Sequence, residues 1–390
     1  MLGSTLSGFA MSLLVLDYTG STFLFALYNV LYFLPSLAVP VLCGPFLDRF
    51  SRKRTIYTLD FITAGLFVIA ALICHFKWMS FPVIAVFCVI LGVIGSMYQV
   101  AYESFYPMLI TEGNYQKAYS VASTLETMTM VMVPVSAFIY DRIGITLIFV
   151  IDAASYLIAA VMETRIGARE KYAEERRIEG GGVLKKLAGD FREGMSYLWV
   201  EKGLLAVAVY FTCSSFAGGV SGTLTLPYFQ RTFNNGKYIY MLVWGMNSVA
   251  RAIGGGIHYK KRLPPSKKYA IAFAVYIIIS VLEGVYLYCP VWAMMAMCFT
   301  GGILAVTSYT IRISATQGYV PDEKKGRFNG AFNTLNTAGL LLGELIAGAL
   351  AEYLPIRPII TVTMALNVLA VFTFIGAGKK HIEKIYNTEN

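Results

Sequence analysis

Five ionisable side chains stand where the chain offers almost no water. Glu126, Asp152, Arg251, Glu283 and Glu344 each lie within a mostly apolar run of roughly 20 residues. A charge in hydrocarbon is costly, so such residues mark proton relays, ion pairs or contacts to polar cargo. Burial favours a neutral carboxyl and a nearby cation favours a charged one. Glu126 or Glu344 could therefore pair with Arg251 and exchange that partner for a proton. Neutral polar groups share these runs: Asn29, Gln99, Asn247, Asn333 and Asn336, with Tyr28 and Tyr32 one turn apart. Asn329, Asn333 and Asn336 fall on one helical face. Such groups can hydrogen-bond a bound molecule or a neighbouring helix equally well. Neither a GxSxG, a P-loop nor a GxGxxG arrangement is present, so catalysis is not expected. The six cysteines, including Cys43 and Cys298, form no CxxC pair, and there are only three histidines. Neither a disulfide framework, a metal site nor a cofactor is expected.

The elements that hold these residues are spans of a membrane. Hydrophobic residues make up 57% of the 390 positions and charged residues 14%, well below the usual share of about 25% charged residues in soluble domains. The spacing predicts an all-α membrane protein with twelve transmembrane helices. They cover 1–17, 22–43, 55–76, 82–104, 117–140, 145–164, 203–227, 238–257, 269–288, 289–312, 328–350 and 358–378. Loops on one side hold 25 Lys and Arg, and loops on the other hold 5. Positive loops stay cytoplasmic, so both termini are expected inside, with the chain integral to the plasma membrane. The net charge of +9 lies in these short loops, and nucleic acid is not an expected partner.

The two halves repeat. Gly44 falls on Gly254 at a shift of 210 residues, and Thr124-Leu125-Glu126-Thr127 falls on Thr334-Leu335-Asn336-Thr337 at the same shift. Gly8, Leu14, Leu16 and Tyr18 match Gly218, Leu224, Leu226 and Tyr228 likewise. Parallel six-helix repeats are a transporter architecture, with cargo held at the repeat interface. The expected organisation is a bundle over 1–164, a cytoplasmic linker over 165–202 with an amphipathic helix from Val183, a bundle over 203–378 and a cytoplasmic tail over 379–390. The partner of span 1 begins near Gly203, so the first turn or two of span 1 is expected to be missing before Met1. Gly339 with Gly343, and Gly218 with Gly222, have the GxxxG spacing of close helix packing.

Between spans 2 and 3 the chain reads Gly44-Pro-Phe-Leu-Asp48-Arg49-Phe-Ser51-Arg52-Lys53-Arg54. This resembles the signature loop of the major facilitator superfamily, with Ser51 where Gly is usual. Gly3–Ala10 in span 1 and Phe149–Leu157 in span 6 are similar to the branch of macrolide-efflux proteins and the enterobactin exporter. The fifth span departs from drug/proton antiporters: around Val133-Pro134-Val135 it has the Pro of their motif without its Gly.

The resemblance implies alternating access, with spans 5, 8 and 11 lining the cavity and spans 6 and 9 lying toward the outside. On that arrangement Glu126, Arg251 and Glu344 rank first for proton coupling, and Asp152 is expected to bond structurally. Tyr28, Asn29, Tyr32, Gln99, Asn247, Asn333 and Asn336 are the cavity candidates. Gly44, Asp48, Arg49, Arg52, Lys53 and Glu103 form the expected cytoplasmic gate, where an Arg fork suits the Glu103 carboxylate and Asp48 suits a helix N-terminus. The expected protein is a monomeric exporter of a bulky, partly apolar small molecule, driven by protons and surrounded by lipid. An importer or lipid-handling carrier on the same scaffold, or a non-transporting membrane sensor, is the alternative.

Overall fold

The computed structural model describes residues 2–39, 51–110, 115–167, 183–260 and 263–387. These residues are helical with no strand among them. Helices α1 (Leu2–Thr19), α2 (Thr22–Phe33), α3 (Arg52–His75) and α4 (Phe81–Phe105) are followed by α5 (Tyr115–Thr164). The last is two arms, because Gly144 breaks it at φ 74°, a backbone that favours glycine. Then come α6 (Val183–Val200), α7 (Lys202–Thr232), α8 (Gly236–Lys260), α9 (Lys268–Val285), α10 (Val291–Tyr319), α11 (Asp322–Leu350), α12 (Ile356–Ala370) and α13 (Lys379–Tyr386). With α5 counted as two, every expected span has its helix.

Sequence chemistry sets several of the ends. Ser21 caps α2, its side chain accepting from the Leu24 amide at 3.2 Å. Ser51, the residue that departs from the signature loop, caps α3 by accepting from the Arg54 amide at 3.1 Å. Pro82 enters α4 in its first turn, where its missing N–H costs nothing. Eight stretches are long and apolar enough to cross a membrane by composition, while α1, α8 and α11 are more polar and fall outside that set. The outer faces confirm the solvent. Along α3, Asp60, Thr63 and Phe67 are buried, whereas Ile62, Val68, Ile69 and Leu72 are exposed. An apolar exterior over a polar interior suits lipid rather than water.

The chain forms two compact units, Met1–Leu187 and Ala188–Asn390. In the first, α3 packs on α5, α1 on α5, and α2 on α4. In the second, α7 packs on α11, α8 on α10, and α9 on α12. Residues related by the 210-residue shift pack against corresponding helices, though against different residues of them. In the first unit Cys88 Sγ donates to the Tyr28 carbonyl at 3.1 Å, and in the second Asn247 Nδ2 donates to the carbonyl of Cys298, the equivalent of Cys88, at 3.2 Å. Gly92 sits against the Tyr32 carbonyl, and Gly302, its equivalent, against that of Asn247. Each is a place where two backbones come too close for a side chain.

Between α7 and α11 the close approach is made by Gly339 against the Thr212 carbonyl, Gly343 against that of Phe216 and Gly219 against that of Leu340. The expected pair Gly218 and Gly222 faces open space. Motif spacing does not say which face of α7 meets its neighbour, and the face proves to be one residue further round.

Segments expected outside the bundles are also structured. Helix α6 is the predicted amphipathic helix, and it meets the start of α11 through Glu193 and Arg327 at 2.6 Å, with Lys324 lying over the Tyr197 ring at 4.7 Å. Helix α13, in the expected tail, buries Ile382, Ile385 and Tyr386 completely in the core of the second unit. Burial pushes the Tyr386 hydroxyl up to about 12, so it stays neutral and shares a hydrogen bond with the Tyr276 hydroxyl at 3.0 Å.

Candidate functional site

Of the expected gate, Gly44, Asp48 and Arg49 lie outside the described residues. Arg52 and Lys53, in the first turn of α3, are described. Arg52 Nη1 lies 3.7 Å from Met108 Sδ, and Lys53 Nζ donates to the Thr164 carbonyl at 3.0 Å. Among the described residues no arginine forks Glu103. Its carboxylate accepts from Gln99 Nε2 at 2.5 Å, one turn back on α4, and no cation lies within ion-pair distance among the described residues. A partner on the same helix costs less ordering than a long cation reaching from another, and both residues are exposed.

Beside Lys53 the first unit holds an acidic site that the sequence reading passes over. Asp60 on α3 is buried and faces Glu163 in the last turn of α5. The Tyr98 hydroxyl donates to Glu163 Oε1 at 3.4 Å, while Glu163 Oε2 is buried without a partner. Lys53, Tyr98, Tyr102, Tyr106 and Glu163 line a cleft of about 370 Å³. Three of those rings stack in a ladder along α4 and the turn that follows it, with centroids 6.2 Å apart for Tyr98–Tyr102 and 5.2 Å for Tyr102–Tyr106. Like charges at one buried site repel, so such a carboxyl pair is best satisfied by one shared proton.

Asp152 is wholly buried where α1 crosses the second arm of α5. Ser155 Oγ donates to its Oδ1 at 3.0 Å, and its Oδ2 is buried without a partner. One turn further along, the Tyr156 hydroxyl donates to Ser4 Oγ at 2.9 Å, and Gly3 leaves room for the Asp152 carboxylate. The two stretches that resemble the macrolide-efflux branch thus pack against each other, which explains why they occur together.

In the second unit the structure separates residues that were expected to pair. Glu344 is buried on α11, its Oε2 has no hydrogen-bond partner, and Arg251 is not among the groups that act on it. Arg251 instead donates through Nε to Asn247 Oδ1 at 3.0 Å and exerts its field on Glu283. The family arrangement sends α9 toward the outside, yet the Glu283 side chain turns inward. It lines a cavity of about 380 Å³ with Ser221, Trp244, Asn247, Tyr286 and Cys298. Glu126 lies in the first arm of α5, and its side chain lies outside the described ones.

The remaining cavity candidates are dispersed. Tyr28 is buried between α2 and α4, Tyr32 is exposed and Asn29 is half-buried. Gln99 is engaged with Glu103. Asn336 accepts from Ser215 on α7 at 3.5 Å, Asn329 accepts from Gln317 at 2.8 Å, and Asn333 between them is exposed. Arg312 stands at the expected end of span 10, whereas α10 runs on to Tyr319 and places it well inside the helix. Its guanidinium lies 4.9 Å from the rings of both Phe211 and Phe332, and its Nε has no hydrogen-bond acceptor. Aromatic faces are attracted to a desolvated cation, so the cage holds Arg312 without a carboxylate.

The sequence profile of the Major Facilitator Superfamily matches residues 1–344. The chain is 26% identical over 265 residues to an uncharacterized MFS-type transporter, YkuC, of Bacillus subtilis (strain 168), a match covering 66% of this chain and 59% of that protein. It is 23% identical over 261 residues to macrolide efflux protein A of Streptococcus pyogenes, covering 63% and 61%. Each match spans less than two thirds of the relative's length. Among solved structures, a mutant of the nucleoside transporter NupG superposes with a TM-score of 0.68 at 12% identity, covering 96% of this chain and 95% of that one. A bacterial homologue of the iron transporter ferroportin, in an inward-facing state, gives 0.65 at 13% identity with the same coverage. At these identities the superpositions speak for the fold.

Proposed function

Because the chain belongs to the major facilitator superfamily, we propose that it is an exporter of a bulky, partly apolar small molecule, working by alternating access and driven by protons. The observation that carries the coupling is Glu344, a carboxyl inside a membrane helix, 8% exposed, with an unpartnered oxygen and no cation beside it among the described residues. A carboxylate has no counter-charge there, so the site suits a carboxyl that takes up and releases a proton during the cycle. Asp60 with Glu163 offers a second proton-binding place, reached from the tyrosine-lined cleft. The similarity to macrolide efflux protein A supports export and a bulky cargo. The asymmetry of basic loops supports a plasma-membrane protein with both termini inside.

Residues 1–164 and 203–378 are the two moving bundles in this reading, with 165–202 as their tether. Asp48, Arg49, Arg52 and Lys53 form a latch on the inner side that closes when the cargo path opens outward. Glu103 joins that latch only if it leaves Gln99.

Proteoliposomes with an imposed pH gradient and a panel of amphipathic compounds test the proposal. Uptake into inside-out vesicles should follow an inward-acid gradient, and Glu344→Gln and Glu126→Gln should each be examined. Transport that ignores the gradient, or that survives both substitutions, sinks the proton-coupled reading. Movement in the opposite direction sinks export.

A further inference from the structure

The cavity within the second unit contains two groups without partners. Glu283 has neither a hydrogen bond nor an ion pair within 4 Å among the described residues, and Arg251 acts on it only through space. Trp244 Nε1 is buried and finds no acceptor. Two other polar lining groups are engaged: Asn247 at both ends of its amide, and the Tyr286 hydroxyl with Thr225 at 2.9 Å. Buried polar groups in folded proteins are nearly always satisfied. A carboxylate and an orphan N–H facing one space describe a ligand with a positive charge and a hydrogen-bond acceptor.

The walls narrow the class. A metal ion needs several hard or thiolate ligands, and no cluster of three His, Cys, Asp or Glu exists among the described residues. Here a single carboxylate is set among indole, phenol and thioether groups, from Trp244, Tyr286 and Met297. Aromatic faces attract organic cations. We propose that the cavity between α7, α8, α9 and α10 binds a small organic cation, with Glu283 as its counter-charge and Trp244 as wall and donor. Arg251 then acts as the competitor that the ligand's charge must outbid. The site lies inside one bundle, and its occupation does not depend on the direction or coupling proposed above.

The four tryptophans supply the assay. Trp78, Trp199 and Trp292 are each more than 60% exposed, and only Trp244 lines the cavity. Replacing those three by Phe in the full chain leaves emission that reports on this site alone. Benzyltrimethylammonium is the probe, and neopentylbenzene, its uncharged isostere, is the control, both titrated into the purified protein in micelles. The cation should give a saturable change that the isostere does not. Glu283→Gln should weaken its binding by about tenfold or more, which corresponds to about 1.4 kcal/mol. Arg251→Gln should tighten it several-fold, because it removes a repelling charge.

Equal responses to cation and isostere overturn the proposal, as does unchanged affinity in a folded Glu283→Gln. If that variant does not fold, Glu283→Asp, which keeps the charge, must retain binding while the cation-to-isostere contrast decides. A proton-driven transport assay on the same protein is read separately, so loss of the cation site and loss of export remain distinguishable.

Discussion

A glycine inside the α7–α11 contact and one on the open face of α7 should respond to alanine with opposite signs. At Gly339 an added Cβ would stand 2.5 Å from the Thr212 carbonyl oxygen and 3.1 Å from Thr212 Cγ2, where ordinary contact begins at 3.4 Å. The helices must part by nearly an ångström, and neither obstacle is the free end of a flexible chain. Overpacking of this kind costs about 1–3 kcal/mol. For a unit of this size each kcal/mol moves the melting temperature by roughly 2–4 °C, so Gly339→Ala should melt about 2–12 °C below the parent. At Gly222 an added Cβ meets nothing within 4 Å, and alanine there gains about 0.5–1 kcal/mol of helix preference. Gly222→Ala should melt at or slightly above the parent. A thiol-reactive dye that reports exposure of Cys88 and Cys213 on heating gives both temperatures. Equal shifts in the two variants would refute the close-approach reading of α7 against α11.

Three further outcomes are expected. Tyr386→Phe should cost about 1 kcal/mol through loss of its bond to Tyr276, and Ile385→Ala about 2–5 kcal/mol as a buried truncation; neutral results by thermal melting would return α13 to the status of a tail. Asp60→Asn and Glu163→Gln should be non-additive by about 0.5–3 kcal/mol in a double-mutant cycle on unfolding, and simple additivity would show that the carboxyls do not share a proton. Asp48→Asn, compared at equal expression, should slow transport, and full activity would remove the latch.

How much could be read from the residues depended on what marked them. Charges and turns are loud in an apolar chain, so the spans, the repeat and the amphipathic start of α6 at Val183 were all legible. Which way a helix faces was not. A membrane helix is apolar nearly all round, so periodicity carries little information about its inner side. Glu283 was therefore assigned outward from the family's layout, and the Gly218/Gly222 spacing was preferred to Gly219. Span ends failed for a related reason: Thr316 and Tyr319 look like loop, and ending span 10 at Arg312 removed that residue from the interior. Asp60 was hidden by its setting, one carboxylate in a stretch read for its hydrophobicity. Pairing was least legible, because Glu103 found Gln99 on its own helix and Arg251 found Asn247 on its own.

Cys88 and Cys298, and Gly92 and Gly302, stand 210 residues apart and press their helices against corresponding neighbours, α2 and α8, though at different residues of those neighbours. None of the buried acidic groups, nor Arg312, has its like at the shifted position. Asp60 has Ala270 as its counterpart, Asp152 has Val362, and Glu163 has Thr373; Glu283, Arg312 and Glu344 answer to Ile73, Tyr102 and Pro134. The halves thus share their packing and differ in every one of these buried charges. A chain made by joining two first halves would keep the glycine contacts and carry its acidic pair twice. It would lack the carboxyl of Glu283, the caged guanidinium and Glu344 altogether. Such a molecule would measure how much of the protein's behaviour belongs to the repeated frame and how much to the charges of its second half.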